Sequence, residues 1–303
     1  MGANSNFMTW NPNKYNTTSG ITYKEGNQFV DTTTGYPTVL SNMAPRTGKW
    51  YVEFYHNENT GYNVIGIEQV GYERYDNHLP DEIYQRHYLF YSHNGNKSRR
   101  NADGTGSSTS YGSSWGTNGK IVMCALDMDN GKIWWGVDGT FYDSGNPATG
   151  TNAAFTDLNT DAGFYMAFSD YNNGTDGQCT INAGQDSSFA GAKSTGTANA
   201  ADSNGFGNFY YTPPSGFLSV CSANLPIAEE IDPAETDDDY PQKLFDVALY
   251  AGTSSTQTID IGFKPDIVWW KNRGTANSHI IADSSRGVTK VNQINGNGAE
   301  TDA

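Results

Sequence analysis

Three carboxylates close together in the chain, Glu230, Asp232 and Glu235, form an E-x-D-x-x-E pattern. Two carboxyl groups about 5–5.5 Å apart across a sugar bond are what retaining glycoside hydrolysis requires, one as nucleophile and one as acid. A strand would put Glu230 and Asp232 on one face, and a bulge could bring Glu235 round to them. Pro233 opposes this, because it removes a ladder donor from the middle of the needed strand. The surroundings oppose it too: LPIAEEIDPAETDDDYPQ (Leu225–Gln242) holds three prolines and a dense acidic run, the composition of a solvated linker. The pattern reads as a chance match, and no catalytic residue is assigned.

Other chemistry is equally thin. Asp127-Met-Asp129-Asn-Gly131 hints at a calcium loop, but an EF-hand needs Gly at its sixth position and Glu at its twelfth. The five histidines (His56, His78, His87, His93, His279) show neither HxH nor HExxH spacing, and GxSxG is missing. Cys124, Cys179 and Cys221 are odd in number, far apart and set in apolar runs, which suits buried free thiols made in a reducing compartment. No metal and no cofactor is expected.

Tyr72–Tyr91 (YERYDNHLPDEIYQRHYLFY) has a different character. It interleaves Tyr72, Tyr75 and Tyr84 with Arg74, His78 and Arg86. Tyrosine and arginine supply large contact area with polar tips, the composition of binding surfaces. With Trp115 at the end of the Gly-rich Gly104–Trp115 run, these residues are the candidate ligand-binding set. The competing reading is that the rings simply cover a core. Trp269, Trp270, Lys271 and Arg273 are candidates for an assembly interface.

These residues must be held by strands. The 303 residues are 36% hydrophobic but 13% aromatic, with 34 glycines, and period-2 runs recur from Phe7 to about Ser222. The clearest are Trp50–His56, Asn63–Glu68, Tyr88–Ser92, Ile121–Met128, Lys132–Val137, Gly163–Ser169, Gln178–Asn182 and Leu218–Ser222. Asn130-Gly131 predicts a two-residue hairpin turn between the fourth and fifth of these. Gly104–Gly119 and Ala190–Gly207 read as loops. The expectation is all-β: an antiparallel sandwich over 1–222, an acidic linker over 223–241, and a small β-rich segment over 242–303. In that last segment FDVALYAG, TQTIDIGF, PDIVWWKNR and SHIIADSSRG each read as a short strand. So small a piece is marginal alone, which suggests that it packs against another copy or another subunit, or is incomplete.

A net charge of −15 argues against nucleic acid and anionic membranes as partners. No apolar run approaches the roughly 20 residues that span a bilayer. The MGANSNFMTWNP start predicts neither a signal peptide nor a myristoylation site.

GKWYVEF (Gly48–Phe54), VIGI (Val64–Ile67), ALDMDNGKIWWGVDGTFY (Ala125–Tyr142), TINAGQDSSF (Thr180–Phe189) and PSGFLSV (Pro214–Val220) resemble, in order and spacing, the core motifs of SPRY domains. The resemblance implies a bent two-sheet sandwich whose loops bind protein or glycan, without catalysis. The runs Tyr72–Arg100 and Ala190–Gly207 are longer and more polar than a minimal member has, so no family binding site is carried over. LYAGTSSTQTIDIGFKPDIVWWKNRG followed by HIIADSSRG (Leu249–Gly274, His279–Gly287) resembles a segment of bacteriophage tail-fibre and other virion proteins. Together the resemblances imply a non-enzymatic virion protein made in the host cytoplasm. Its expected role is a tail fibre that recognises a host-surface glycan or protein, and its expected partners are other virion proteins. A homo-oligomer is expected, with a trimer following from the resemblance alone. A capsid decoration or head-fibre protein and a glycan depolymerase are the alternatives. A eukaryotic SPRY adaptor fits the second segment poorly.

Overall fold

The computed structural model describes residues 6–15, 20–33, 37–58, 62–71, 86–100, 106–170, 177–194, 199–225 and 244–302. They form two compact units, residues 1–225 and 226–303. Every regular element of more than one turn is a strand.

In the first unit the strands are β1 (Trp10–Tyr15), β2 (Ile21–Lys24), β3 (Phe29–Thr32), β4 (Thr38–Ser41), β5 (Lys49–His56), β6 (Asn63–Gln69), β7 (His87–Tyr91) and β8 (Asn96–Arg100). They continue with β9 (Gly106–Ser110), β10 (Ile121–Asp127), β11 (Lys132–Val137), β12 (Thr140–Phe141), β13 (Phe164–Asp170), β14 (Gly177–Asn182) and β15 (Leu218–Ser219). One sheet runs β1-β4-β13-β6-β7-β8-β9, and the other β12-β11-β10-β5-β14-β3-β2 with β15 added beside β5. All pairings are antiparallel except that of β15 with β5.

Strand β5 shows why the two sheets stack. Trp50, Val52 and Phe54 alternate onto one face and join the main core. Aromatic rings bridge the layers: Trp10 and Phe54 centroids lie 6.0 Å apart, and Phe90 stacks on Trp135 at 5.9 Å. Each such ring buried contributes about 2–3 kcal/mol. The opposite face of β5 is also covered. Tyr51 meets Phe209 edge-on at 5.1 Å, and on β11 Trp134 meets Phe217 at 6.1 Å.

A buried carboxylate pins that cover. Glu53 accepts hydrogen bonds from the backbone N–H groups of Tyr210 (2.8 Å) and Tyr211 (2.7 Å), from Asn182 Nδ2 (3.1 Å) and from the Tyr51 hydroxyl (3.1 Å). Desolvation outweighs these four donors and raises its pKa to about 7. Cys124, Cys179 and Cys221 are free and buried.

Several local expectations need correction. Gly106–Ser110 is a strand, not part of a loop. The β10–β11 connection is a four-residue turn, since Asp127 pairs with Lys132. Of its residues Gly131 alone has positive φ (+62°). The turn is set by Asp127, whose Oδ1 accepts from the Asn130 N–H at 3.0 Å, while Asp129 Oδ1 accepts from the Gly48 N–H at 2.7 Å. Side-chain capping replaces the backbone geometry of an Asn-Gly turn.

In the second unit β16 (Ile267–Trp270), β17 (Ile280–Asp283), β18 (Lys290–Gln293) and β19 (Thr301–Asp302) form one antiparallel sheet in that order. FDVALYAG and TQTIDIGF form no strand despite their pattern. Period 2 alone does not make a strand; the backbone groups must also find ladder partners.

Candidate functional site

The most distinctive polar constellation lies where β6, β7 and β8 end together. Alternation along each strand and pairing across them determine it. Tyr165 of β13 pairs with Glu68 of β6, Glu68 with His87 of β7, and His87 with Arg100 of β8. The four residues therefore form one row across four strands, on the face that also carries Leu40, Val64, Leu89 and Ala167. Glu68 and His87 are buried and Arg100 is half-buried.

Burial, reinforced by the Arg100 charge, lowers the His87 pKa to about 3. The imidazole is thus neutral near pH 7, a hydrogen-bonding group and not a cation. Among the described residues no Ser, Thr or Cys hydroxyl or thiol donates to His87.

The opposite face of the same strand ends is polar as well. Arg99 pairs with Asp157, whose backbone oxygen accepts the Tyr88 hydroxyl at 2.8 Å. Asn159 Nδ2 donates to Gln69 Oε1 at 3.4 Å. Arg86 immediately precedes β7, and its carbonyl accepts from the Gln69 N–H at 2.9 Å. Three of the chain's 18 basic residues, Arg86, Arg99 and Arg100, thus gather at one end of a sheet in a strongly acidic protein. Guanidinium groups held on strands suit carboxylate or phosphate groups, which they can engage through two parallel hydrogen bonds. Tyr62 is the one large hydrophobic side chain exposed among the described residues of this unit, stacked on His93 at 5.3 Å. The described surface therefore offers charge and hydrogen bonds and no broad apolar platform.

Of the expected ligand-binding residues, Tyr72, Arg74, Tyr75, His78 and Tyr84 lie outside the described residues, on the connection from β6 to β7. Arg86 lies at the site. Trp115 does not: it is fully buried, 5.6 Å from Phe90 and 5.5 Å from His56 in ring-centroid distance, at the Asn63 end of the sheet. Its N–H donates to the Ser92 carbonyl at 2.9 Å, which draws the ring into the core. There Asn63 Nδ2 donates to Glu58 Oε1 at 2.8 Å, and burial lowers the His56 pKa to about 4. Glu68, Arg99 and Arg100 went unnoticed in the sequence. The Arg99-Arg100 pair was the available signal, but its partners become visible only once the strand register is known.

Glu230, Asp232 and Glu235 also lie outside the described residues. Asp127 and Asp129 are occupied by turn and strand contacts, Asp127 also lying 3.3 Å from Lys49 Nζ. Of the expected assembly residues, Trp269, Lys271 and Arg273 are exposed and Trp270 is half-buried. Lys271 Nζ donates to the carbonyls of Asn272 and Thr275.

Comparison with known proteins gives three results. A family described as a domain of unknown function (DUF7483) matches residues 240–303. No curated protein sequence matches the chain. In fold, the chain is similar to the SPRY domain of human HERC1, with 19% sequence identity over 57% of this chain and 96% of that one, at a TM-score of 0.44.

Proposed function

We propose that this chain is a non-enzymatic structural component of a bacteriophage virion, a tail fibre or related appendage. Its sandwich holds an arginine-bearing end against a host-surface ligand with acidic groups, such as an anionic polysaccharide. One observation carries the recognition half: Arg86, Arg99 and Arg100 lie at one end of the same sheet, Arg99 and Arg100 on its opposite faces. The virion half is supported by the sequence resemblance at Gly262–Gly287. Copies displayed together convert weak single-site contacts into avidity.

Binding of the purified chain to bacterial surface polysaccharides, and its competition with phage adsorption, tests the first half. Acidic polysaccharides should bind with an affinity that falls as salt rises. Arg86→Ala combined with Arg100→Ala should weaken binding at least tenfold. Binding untouched by salt and by both substitutions would rule the site out. Immunogold labelling of phage particles tests the second half: label on the shell instead of the tail would make this a decoration protein.

A further inference from the structure

The second unit keeps its apolar side chains outside. Of the twelve large hydrophobic side chains exposed among the described residues, eleven lie between Leu244 and Ile294. Among the described residues of this unit, Ala282 and Val291 alone are buried hydrophobics. A sheet with so little core does not account for its own stability.

Two of the exposed features are complementary. Strand β16 is the sheet's first strand, so one of its edges has no strand partner among the described residues. Ile267 (64% exposed) and Trp269 (62%) project from one face of it. Residues 245–250 have a strand's alternation, with Phe245 (74%), Val247 (69%) and Leu249 (76%) at every second position, yet make no backbone–backbone hydrogen bond to any described residue. The chain thus contains an edge without a strand and a strand without an edge.

We infer that two copies of this chain associate through the second unit, the Phe245–Tyr250 segment of one copy adding to the β16 edge of the other. Backbone hydrogen bonds supply the pairing, and Phe245, Val247 and Leu249 cover Ile267 and Trp269. A second copy is the occupant because the chain itself supplies both halves of the contact, the unpaired β16 edge and the exposed apolar segment 245–250. Asp246 on the segment is matched by Arg273 just beyond β16, which has no described acidic partner. Reciprocal exchange doubles the contact and closes it about a two-fold axis. The inference is independent of the recognition reading, which concerns only the sandwich.

The test uses the full chain. Sedimentation equilibrium at up to about 100 μM, a range that detects even weak pairing, should show self-association. Ile267→Lys or Leu249→Lys should weaken it at least tenfold. Both positions are exposed, so an unchanged near-UV spectrum confirms an intact sandwich. Separate Val247→Cys and Trp269→Cys preparations, mixed under mild oxidation, should yield a covalent dimer that neither forms alone; the three native thiols are buried and silent. A chain monomeric throughout that range, as expected if another protein is the occupant, overturns the inference. So does association indifferent to both lysines, or mixed cysteine variants that do not cross-link.

Discussion

At the scale of single residues, the buried ionisable groups make opposing demands on the fold. Glu53 has a folded pKa of about 7 against 4.5 when exposed, so between those values the folded state holds the extra proton and stability falls as pH rises. His56 and His87 have folded pKa values of about 4 and about 3 against 6.5, so the unfolded state takes the proton first and stability falls as pH drops below 6.5. From pH 6.5 to 4.5 two histidines oppose one carboxylate. The net is one proton, or about 1.4 kcal/mol lost per pH unit of acidification. Glu53→Gln removes the opposing group and should double that slope in urea titrations across the window. An unchanged slope would mean that Glu53 titrates normally. At pH 7 the same variant turns an amide NH2 toward backbone and side-chain donors, and should cost about 2–3 kcal/mol. Trp115→Ala tests a different point. As a core residue it should lose about 3–5 kcal/mol of stability, whereas a ring held only for ligand contact would leave unfolding unchanged.

At the scale of elements, close approach of strands is decisive at Gly66. A Cβ there would sit 2.1 Å from the Tyr88 carbonyl oxygen on the neighbouring strand β7. Neither backbone can yield without breaking the β6–β7 ladder, so Gly66→Ala should destabilise by more than about 3 kcal/mol and disturb the Glu68–His87–Arg100 row. Full stability in thermal unfolding would refute this packing. The same elements show what the sequence can and cannot reveal. Strands β5, β6, β10, β11 and β13 were readable to within a residue or two, because their apolar alternation reflects burial directly. Strands β8 (NKSRR) and its edge neighbour β9 (GSSTS) were not, because backbone hydrogen bonds hold them and they carry no apolar side chain. Half of the candidate site was hidden for that reason. Arg99 and Arg100 look like loop residues until β8 is laid against β7. Trp115 was misplaced for the converse reason: a tryptophan in a Gly/Ser-rich run looks exposed until its own backbone bond to Ser92 turns it inward.

At the scale of the whole molecule, buried and exposed apolar side chains are divided between the two units. The sandwich buries its rings on both faces of β5 and β11, whereas the second unit exposes Phe245, Tyr250 and Trp269. Stability should be divided in the same way. The sandwich has a core of its own, so its unfolding should not depend on protein concentration. If the second unit gains its missing contacts from a copy, as inferred above, its stability should rise with concentration by mass action. Hydrogen exchange of the full chain separates the two. Amides of β10 and β5 should be equally protected at low and high concentration. Amides of β16 and β17, and those of Phe245–Tyr250, should exchange fast when dilute and slow when concentrated. Protection of β16 that is already high in dilute solution would mean that this sheet is sustained within one chain. Its exposed tryptophan and isoleucine would then have to be explained without a partner.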